Sequence, residues 1–206
     1  EGFRAYHSST ALLPNGAIFS GGGGLPGPVR NFNAEIYFPS YFFKKLGNKS
    51  ILAKRPRIVS MDKNSFTYGS SFALELTDIT GEIVEISFIA LPSVTHGYDP
   101  NQRRMTLAFS DIETGVSVVA PSDRNVAPPG YYYVSVLDSN RIPSPAVIVA
   151  LDAVPPVAKP NLKLQPGSSA LVNGELFHSD VPLEGSRRVP EASFLGWSTL
   201  ENNPVN

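Results

Sequence analysis

Apolar and polar residues alternate with a period of two along much of the chain, which is the pattern of β-strands rather than of helices. Between positions 55 and 151, alternating apolar side chains share one face in each of three runs: 72, 74 and 76; 84, 86 and 88; and 105, 107 and 109. Four further apolar runs lie at 57–61, 116–120, 131–137 and 146–151. About seven short strands in roughly 100 residues are typical of an immunoglobulin-like β-sandwich.

The first 45 residues hold three shorter β-prone runs, at 9–13, 17–20 and 34–38. Pro14-Asn15-Gly16 separates the first two runs and is a strong hairpin signal. Three strands cannot bury both faces of a sheet by themselves. We therefore expect this small sheet to pack against neighbours from a larger protein.

The connection between the predicted strands 83–90 and 103–109 is unusually long. Most hairpin loops hold about 2–5 residues, and much longer connections are commonly functional. Residues 91–102 could carry their tip on the order of 15–20 Å from the sandwich. His96 lies near that tip.

Composition narrows the possible functions. The chain has 17 Lys and Arg against 18 Asp and Glu, so no basic surface for nucleic acid is expected. It has no cysteine, which removes disulfides, thiolate metal sites and cysteine nucleophiles. The apolar runs are of strand length, well short of the ~20 residues that cross a bilayer. Because the chain begins without methionine, we interpret it as a piece of a longer protein.

The three histidines are the first candidates for chemistry: His7 beside Tyr6, His96 in the long loop and His178 near the C-terminus. Taken singly, a histidine is more often a surface or packing residue than a ligand. No nucleophile-elbow motif accompanies them. For His178, no partner stands at a recognisable spacing, and we interpret it as a surface residue.

Two other features favour structural roles. The glycine run 21–24 is followed by Leu-Pro-Gly-Pro, whereas a phosphate loop needs Lys and then Ser or Thr before a helix. Glycines that allow close approach of strands are the better interpretation. Arg103 and Arg104 are neighbours in a predicted strand, so their side chains point to opposite faces and do not clamp one anion.

Three blocks of sequence, in order, resemble the copper-radical oxidases, the family of galactose oxidase and glyoxal oxidase. The first block is Arg-Ala-Tyr-His-Ser at 4–8 with Ala-Leu-Leu-Pro-Asn-Gly at 11–16 and the glycine run. The second is Thr-His-Gly at 95–97 with Asn-Gln-Arg-Arg at 101–104. The third is Val-Ala-Pro-Pro-Gly-Tyr-Tyr at 126–132 with Ile-Pro-Ser at 142–144.

The resemblance implies an all-β fold, in which part of a kelch-type β-propeller precedes an immunoglobulin-like (E-set) β-sandwich. Residues 1–54 would be the last, incomplete propeller blade, 55–151 the C-terminal sandwich, and 152–206 a Pro-rich linker or tail. The long loop would pass up the central channel of the propeller. The N-terminal propeller of the same protein would be its partner, and the protein would be secreted, extracellular or periplasmic.

The resemblance also implies a site. Tyr6 would be the axial ligand and catalytic base, with His7 and His96 as the histidine ligands of one copper ion. Nitrogen and oxygen donors suit Cu(II), and a metal-bound phenolate could take the hydroxyl proton of an alcohol. In the family, a second tyrosine cross-linked to a cysteine holds a radical. Without cysteine here, that pair is expected upstream, so Tyr37 and Tyr41 are not candidates.

The leading hypothesis is therefore the C-terminal part of an oxidase that converts a primary alcohol, such as galactose or another carbohydrate, or an aldehyde with O2 and releases H2O2. The isolated chain would have little or no oxidase activity, because it lacks the second one-electron acceptor. The alternative is an inactive relative that binds glycans or protein partners. An unrelated binding module on a β-sandwich would leave the long loop and its histidine unexplained.

Overall fold

The computed structural model describes residues 3–27, 31–156, 169–172 and 175–178, the last two segments by their backbone alone. The chain divides into two compact units, 1–156 and 157–206. In the described residues the fold is strands and loops with a single 3-10 turn and no α-helix, so the all-β prediction is confirmed. No helix in these segments is long and apolar enough to cross a membrane.

A three-stranded antiparallel sheet opens the first unit. Its strands are β1 (Ser9–Leu12), β2 (Ile18–Gly21) and β3 (Ala34–Tyr37), in the order β1-β2-β3. The predicted hairpin is present between the first two: the Gly16 amide donates to the Leu13 carbonyl, and Gly16 has a φ of 88°. That positive φ is the reason a glycine suits this turn.

A second hairpin follows that the sequence analysis did not predict. The 3-10 turn Ser40–Phe42 leads into β4 (Phe43–Leu46) and β5 (Lys49–Leu52). Nearly every residue of this hairpin is exposed. Because its strands bury no apolar face, they lack the alternation by which strands are recognised in a sequence.

The rest of the first unit is a two-sheet sandwich. In chain order its strands are β6 (Arg57–Met61), β7 (Ser65–Phe66), β8 (Ser71–Thr77), β9 (Ile83–Ala90), β10 (Arg104–Leu107), β11 (Phe109–Ile112), β12 (Gly115–Val119), β13 (Gly130–Asp138) and β14 (Val147–Leu151). One sheet has the order β10-β9-β13-β14-β7 and the other β11-β12-β8-β6. All neighbours are antiparallel except β14 and β7.

The core lies between these two sheets. Phe72 and Leu74 face it from β8, and Ile86 and Phe88 face it from β9, each at most 1% exposed. The alternation read from the sequence thus identifies the core face of both strands. Val84, the first residue of the second run, is 43% exposed, because β9 begins outside the core.

One predicted strand was wrong. The run 103–109 is divided at Ala108 into β10, which pairs with β9, and β11, which pairs with β12 in the opposite sheet. The chain therefore changes sheets at this point. Met105, Leu107 and Phe109 all pack on the same core, so the alternation continues through the crossing and conceals it.

The N-terminal sheet is joined to the sandwich at the turn of its first hairpin. The Ala146 amide donates to the Pro14 carbonyl at 2.7 Å. The Arg55 guanidinium donates to the carbonyls of Asn15 at 2.7 Å and Pro143 at 2.8 Å. These contacts fix the position of the first sheet relative to the loops of the sandwich.

In the second unit the structure describes one antiparallel hairpin, β15 (Ser169–Val172) and β16 (Glu175–His178). The sequence analysis predicted only a Pro-rich linker or tail over residues 152–206. The hairpin begins within the Ser-Ser pair, at Ser169, just after the Pro-Gly pair that also suggested the linker.

Candidate metal centre

Tyr6, His7 and His96 form one cluster of rings in the structure. The ring centroids lie 4.0 Å apart for Tyr6 and His7, 5.1 Å for Tyr6 and His96, and 4.3 Å for the two histidines. The Nε2 atoms of His7 and His96 are 2.8 Å apart, although 89 positions separate the residues in the chain. The structure thus brings together the three side chains singled out from the sequence.

Tyr6 and His7 are presented by a tight turn before β1. The Ser8 amide donates to the Ala5 carbonyl at 2.9 Å, and His7 has a φ of 66°. A positive φ at the third position of a turn is uncommon for a residue other than glycine. The turn lets two adjacent rings lie side by side, whereas in a strand they would point to opposite faces.

The backbone of the glycine run packs against this turn. The Gly24 amide donates to the Tyr6 carbonyl at 2.6 Å. A Cβ on Gly23 would lie only 3.0 Å from the backbone nitrogen and oxygen of Ala5. These glycines do allow close backbone approach, but the segment that they contact is the turn that carries Tyr6 and His7 and not another strand, as the sequence analysis had expected.

Arg4 fastens the beginning of the same turn to the first sheet. Its guanidinium donates to the Ser20 carbonyl at 3.1 Å and to the Asn33 Oδ1 at 2.5 Å. It also forms an ion pair with Glu35 at 3.1 Å. The backbone two residues before Tyr6 is held by a planar side chain that contacts both β2 and the segment around β3.

His96 reaches the cluster on the loop 91–103, which connects β9 and β10. Thr95 and Tyr98 exchange two backbone hydrogen bonds of 2.8 Å, so His96 and Gly97 form a two-residue hairpin turn. Their φ angles of 56° and 75° are the two positive values that a type I′ turn requires. The prediction that His96 lies at the loop tip is confirmed.

The long loop is braced by its own polar groups. The Asp99 carboxylate accepts from the amides of Ser93 and Asn101, each at 3.0 Å. The side-chain amide of Asn101 donates to the Leu91 carbonyl at 2.9 Å. These bonds tie the two sides of the loop together below the tip, so that His96 is carried on a defined structure.

Hydrogen bonds identify the nitrogen that each histidine directs to the cluster. The Nδ1 of His7 lies 2.5 Å from the Leu25 carbonyl oxygen. Because a carbonyl only accepts, this Nδ1 carries the proton, and Nε2 of the neutral ring has a free lone pair. The Nδ1 of His96 lies 2.7 Å from the Thr95 hydroxyl. Both Nε2 atoms therefore face the centre of the cluster.

This donor set fits a copper ion. Two nitrogen ligands at about 2.0 Å from one ion, at a right angle, are about 2.8 Å apart, and 2.8 Å separates the two Nε2 atoms. Among the residues described, no three His, Cys, Asp or Glu side chains gather around one point. The ring that accompanies the two imidazoles is that of Tyr6, with its centroid 4.0 and 5.1 Å from theirs. Tyr6 is 55% exposed, and these side chains form one wall of an open site.

The remaining candidates lie away from the cluster or serve structure. Arg104 forms an ion pair with Glu85, while Arg103 hydrogen-bonds Tyr132, so the two arginines act separately as expected. The Tyr41 hydroxyl donates to the Gly16 carbonyl. The side chain of His178 lies outside the described residues, and its assignment as a surface residue stays a prediction.

Sequence reasoning gave no role to Arg4, to Thr95 or to the Leu25 carbonyl. Arg4 and Thr95 stand inside the blocks that carry the family resemblance, and this was the available signal for them. A backbone carbonyl acts through its position alone, so the sequence holds no signal for the contact at Leu25.

Comparison with known proteins points to one group of enzymes. Residues 55–151 match the family described as galactose oxidase-like, Early set domain. A galactose oxidase from Gibberella zeae is 37% identical over 146 residues, which are 69% of this chain and 21% of that protein. An aldehyde oxidase from Arabidopsis thaliana is 28% identical over 160 residues, or 68% of this chain and 25% of that protein.

A solved structure of a fungal alcohol oxidase of the AA5 family, in complex with copper, superposes with a TM-score of 0.64 at 30% identity. The match covers 73% of this chain and 31% of that one. The chain thus spans about a fifth to a quarter of the curated relatives described above.

Proposed function

We propose that this chain is the C-terminal part of a copper-radical oxidase, from the premise that its residues 55–151 match the galactose oxidase-like Early set domain family. Tyr6, His7 and His96 would be its contribution to the copper site. The observation that carries this proposal is the 2.8 Å separation of the two Nε2 atoms, which come from different parts of the fold.

The roles of the three residues follow from their atoms. His7 and His96 would hold the metal through Nε2, each with its Nδ1 engaged by the protein. Tyr6 would hold a phenolate oxygen at the same point and accept the hydroxyl proton of a primary alcohol or hydrated aldehyde. When bound, copper would supply one of the two one-electron acceptors that the oxidation requires.

The reaction needs parts beyond these residues. Removing two electrons from an alcohol and passing them to O2, which leaves as H2O2, requires a second one-electron acceptor. We expect a tyrosine cross-linked to a cysteine in an N-terminal propeller, which would also provide most of the substrate-binding wall. The open cluster and the partial coverage of the relatives support this division. We expect the whole protein to act outside the cell.

Copper titration of the chain tests the proposal. Cu(II) bound to the wild-type chain should give an electron paramagnetic resonance spectrum with hyperfine coupling to two imidazole nitrogens. His96→Ala should remove one coupling and weaken binding by about 100-fold or more, since even loss of an outer partner costs about 10–100-fold. His178→Ala is the matched control and should bind as the wild type does.

Two outcomes would contradict the assignment. One is unchanged copper affinity in His96→Ala, and the other is an equal loss in His178→Ala. Peroxide production should remain at the background of free copper for the 206-residue chain and appear only when it is joined to its propeller. Turnover of an alcohol by the chain alone would also refute this division of labour.

A further inference from the structure

The Thr95 hydroxyl contacts the edge of the His96 ring that is turned away from the cluster. Its Oγ1 lies 2.7 Å from the His96 Nδ1. The backbone of Thr95 is fixed by its two hydrogen bonds to Tyr98, and a β-branched side chain has few rotamers. The hydroxyl therefore has a defined position relative to the His96 ring.

The contact fixes which nitrogen of His96 is turned toward the cluster. The Thr95 Oγ1 lies at Nδ1, and the Nε2 on the other side of the ring lies 2.8 Å from the Nε2 of His7. The ring of His7 is held in a similar way, with its Nδ1 against the Leu25 carbonyl.

A hydroxyl is both a donor and an acceptor. The Thr95 side chain can therefore bond Nδ1 whichever nitrogen of the neutral His96 ring carries the proton.

We propose that Thr95 is a positioning residue for His96: its hydroxyl holds the Nδ1 side of the ring, so that Nε2 is presented as the metal ligand. This inference rests on the proposed function.

Three variants of the full chain test the role of Thr95. Thr95→Val keeps the shape but neither donates nor accepts, and should weaken Cu(II) binding by about 10–100-fold, the usual effect of removing an outer partner. Thr95→Ser restores the hydroxyl and should bind within about threefold of wild type, because the outer partner of His96 is then kept. Thr106→Val, at an exposed position of β10, is the control and should not change binding.

Nitrogen-15 spectra of the imidazoles provide a second readout that does not depend on activity. Addition of Zn(II), a diamagnetic ion with similar nitrogen ligands, should shift the Nε2 resonances of His7 and His96 in the wild type and in Thr95→Ser. In Thr95→Val the shift at His96 should be reduced, whereas the shift at His7 should remain.

The outcomes separate the two proposals. If the wild-type chain binds neither Cu(II) nor Zn(II) at the histidines, the proposed function fails and this inference fails with it. If the wild type binds copper and Thr95→Val binds equally well, only the role of Thr95 is overturned. An undiminished Zn(II)-induced shift of the His96 Nε2 resonance in Thr95→Val would also overturn it.

Discussion

Replacing Gly23 with alanine should weaken copper binding by about tenfold without removing any ligand. A Cβ at this position would lie 3.0 Å from the backbone nitrogen and oxygen of Ala5 and 3.1 Å from the Ser8 Cβ. Ordinary contact begins at 3.4 Å, so in a packed structure the turn would have to retreat by about 0.4 Å. Tyr6 and His7 lie in the middle of that turn and would move with it.

The size of the effect follows from how precisely a site must be positioned. A misplacement of about 1 Å can lower the rate of a catalysed reaction by about 100-fold, and a binding site must hold its groups within about 0.5 Å. If copper affinity follows the same scale, a shift of about 0.4 Å in the Tyr6–His7 turn corresponds to about a tenfold loss of affinity. Alanine also incurs a backbone penalty at a φ of 109°, which acts on stability.

Gly22→Ala provides the matched control. Gly22 also has a positive φ, 67°, but the nearest atom to its Cβ would be the His7 carbonyl oxygen at a comfortable 3.9 Å. This variant should lose roughly 1–2 kcal/mol of stability through the backbone and keep its copper affinity. Urea unfolding gives the stability of both variants, and competition with a chelator gives the affinity. Equal copper affinities in Gly23→Ala and wild type, or an equal loss in Gly22→Ala, would refute the reasoning.

Three other substitutions probe the support of the site and the core. Arg4→Lys should lower copper affinity by about tenfold in the same titration, because a single ammonium cannot reproduce the planar fork of contacts; unchanged affinity would show that the turn needs no such anchor. Phe88→Ala should lower the free energy of unfolding by about 3–5 kcal/mol, measured with urea, because the ring is fully buried; a loss under about 1 kcal/mol would contradict this core assignment. Burial raises the pKa of Tyr133 to about 12 from 10.0. The folded chain therefore keeps this proton after the unfolded chain has released it, and the contribution is complete below pH 10 and lost as pH rises through about 12. Tyr133→Phe should flatten the fall in unfolding free energy over that interval, by up to about 3 kcal/mol.

The strands that could be predicted from sequence are those with one face on the core. The run 83–90 was predicted with both ends correct, because β9 buries alternate apolar residues along most of its length. The hairpin of β4 and β5 buries almost nothing and therefore left no periodic signal. The change of sheets at Ala108 was also hidden, since period two describes the side chains and not the partner strand.

The candidate site could be predicted only through the resemblance. Nothing in the spacing of Tyr6, His7 and His96 specifies that residues 89 positions apart meet. Local geometry was partly accessible: His96-Gly97 suits a type I′ turn, and glycines at 21–24 suit close backbone approach. The hydrogen bonds that select a nitrogen on each ring depend on a carbonyl and a neighbouring hydroxyl, whose positions exist only in the folded chain.

The cluster joins two elements that are built separately, and their relative position is therefore part of the site. The Tyr6–His7 turn rests on the first sheet, while the loop that carries His96 grows from the sandwich. Arg55 links the two by donating to the Asn15 carbonyl on one side and the Pro143 carbonyl on the other. Burial lowers the pKa of Arg55 to about 10. This value is still well above neutral pH, and the guanidinium therefore keeps its charge and its donors there. If the two imidazoles bind one metal ion as proposed, they must meet within a fraction of an ångström. This distant arginine would then help to set the distance between them without contacting either one.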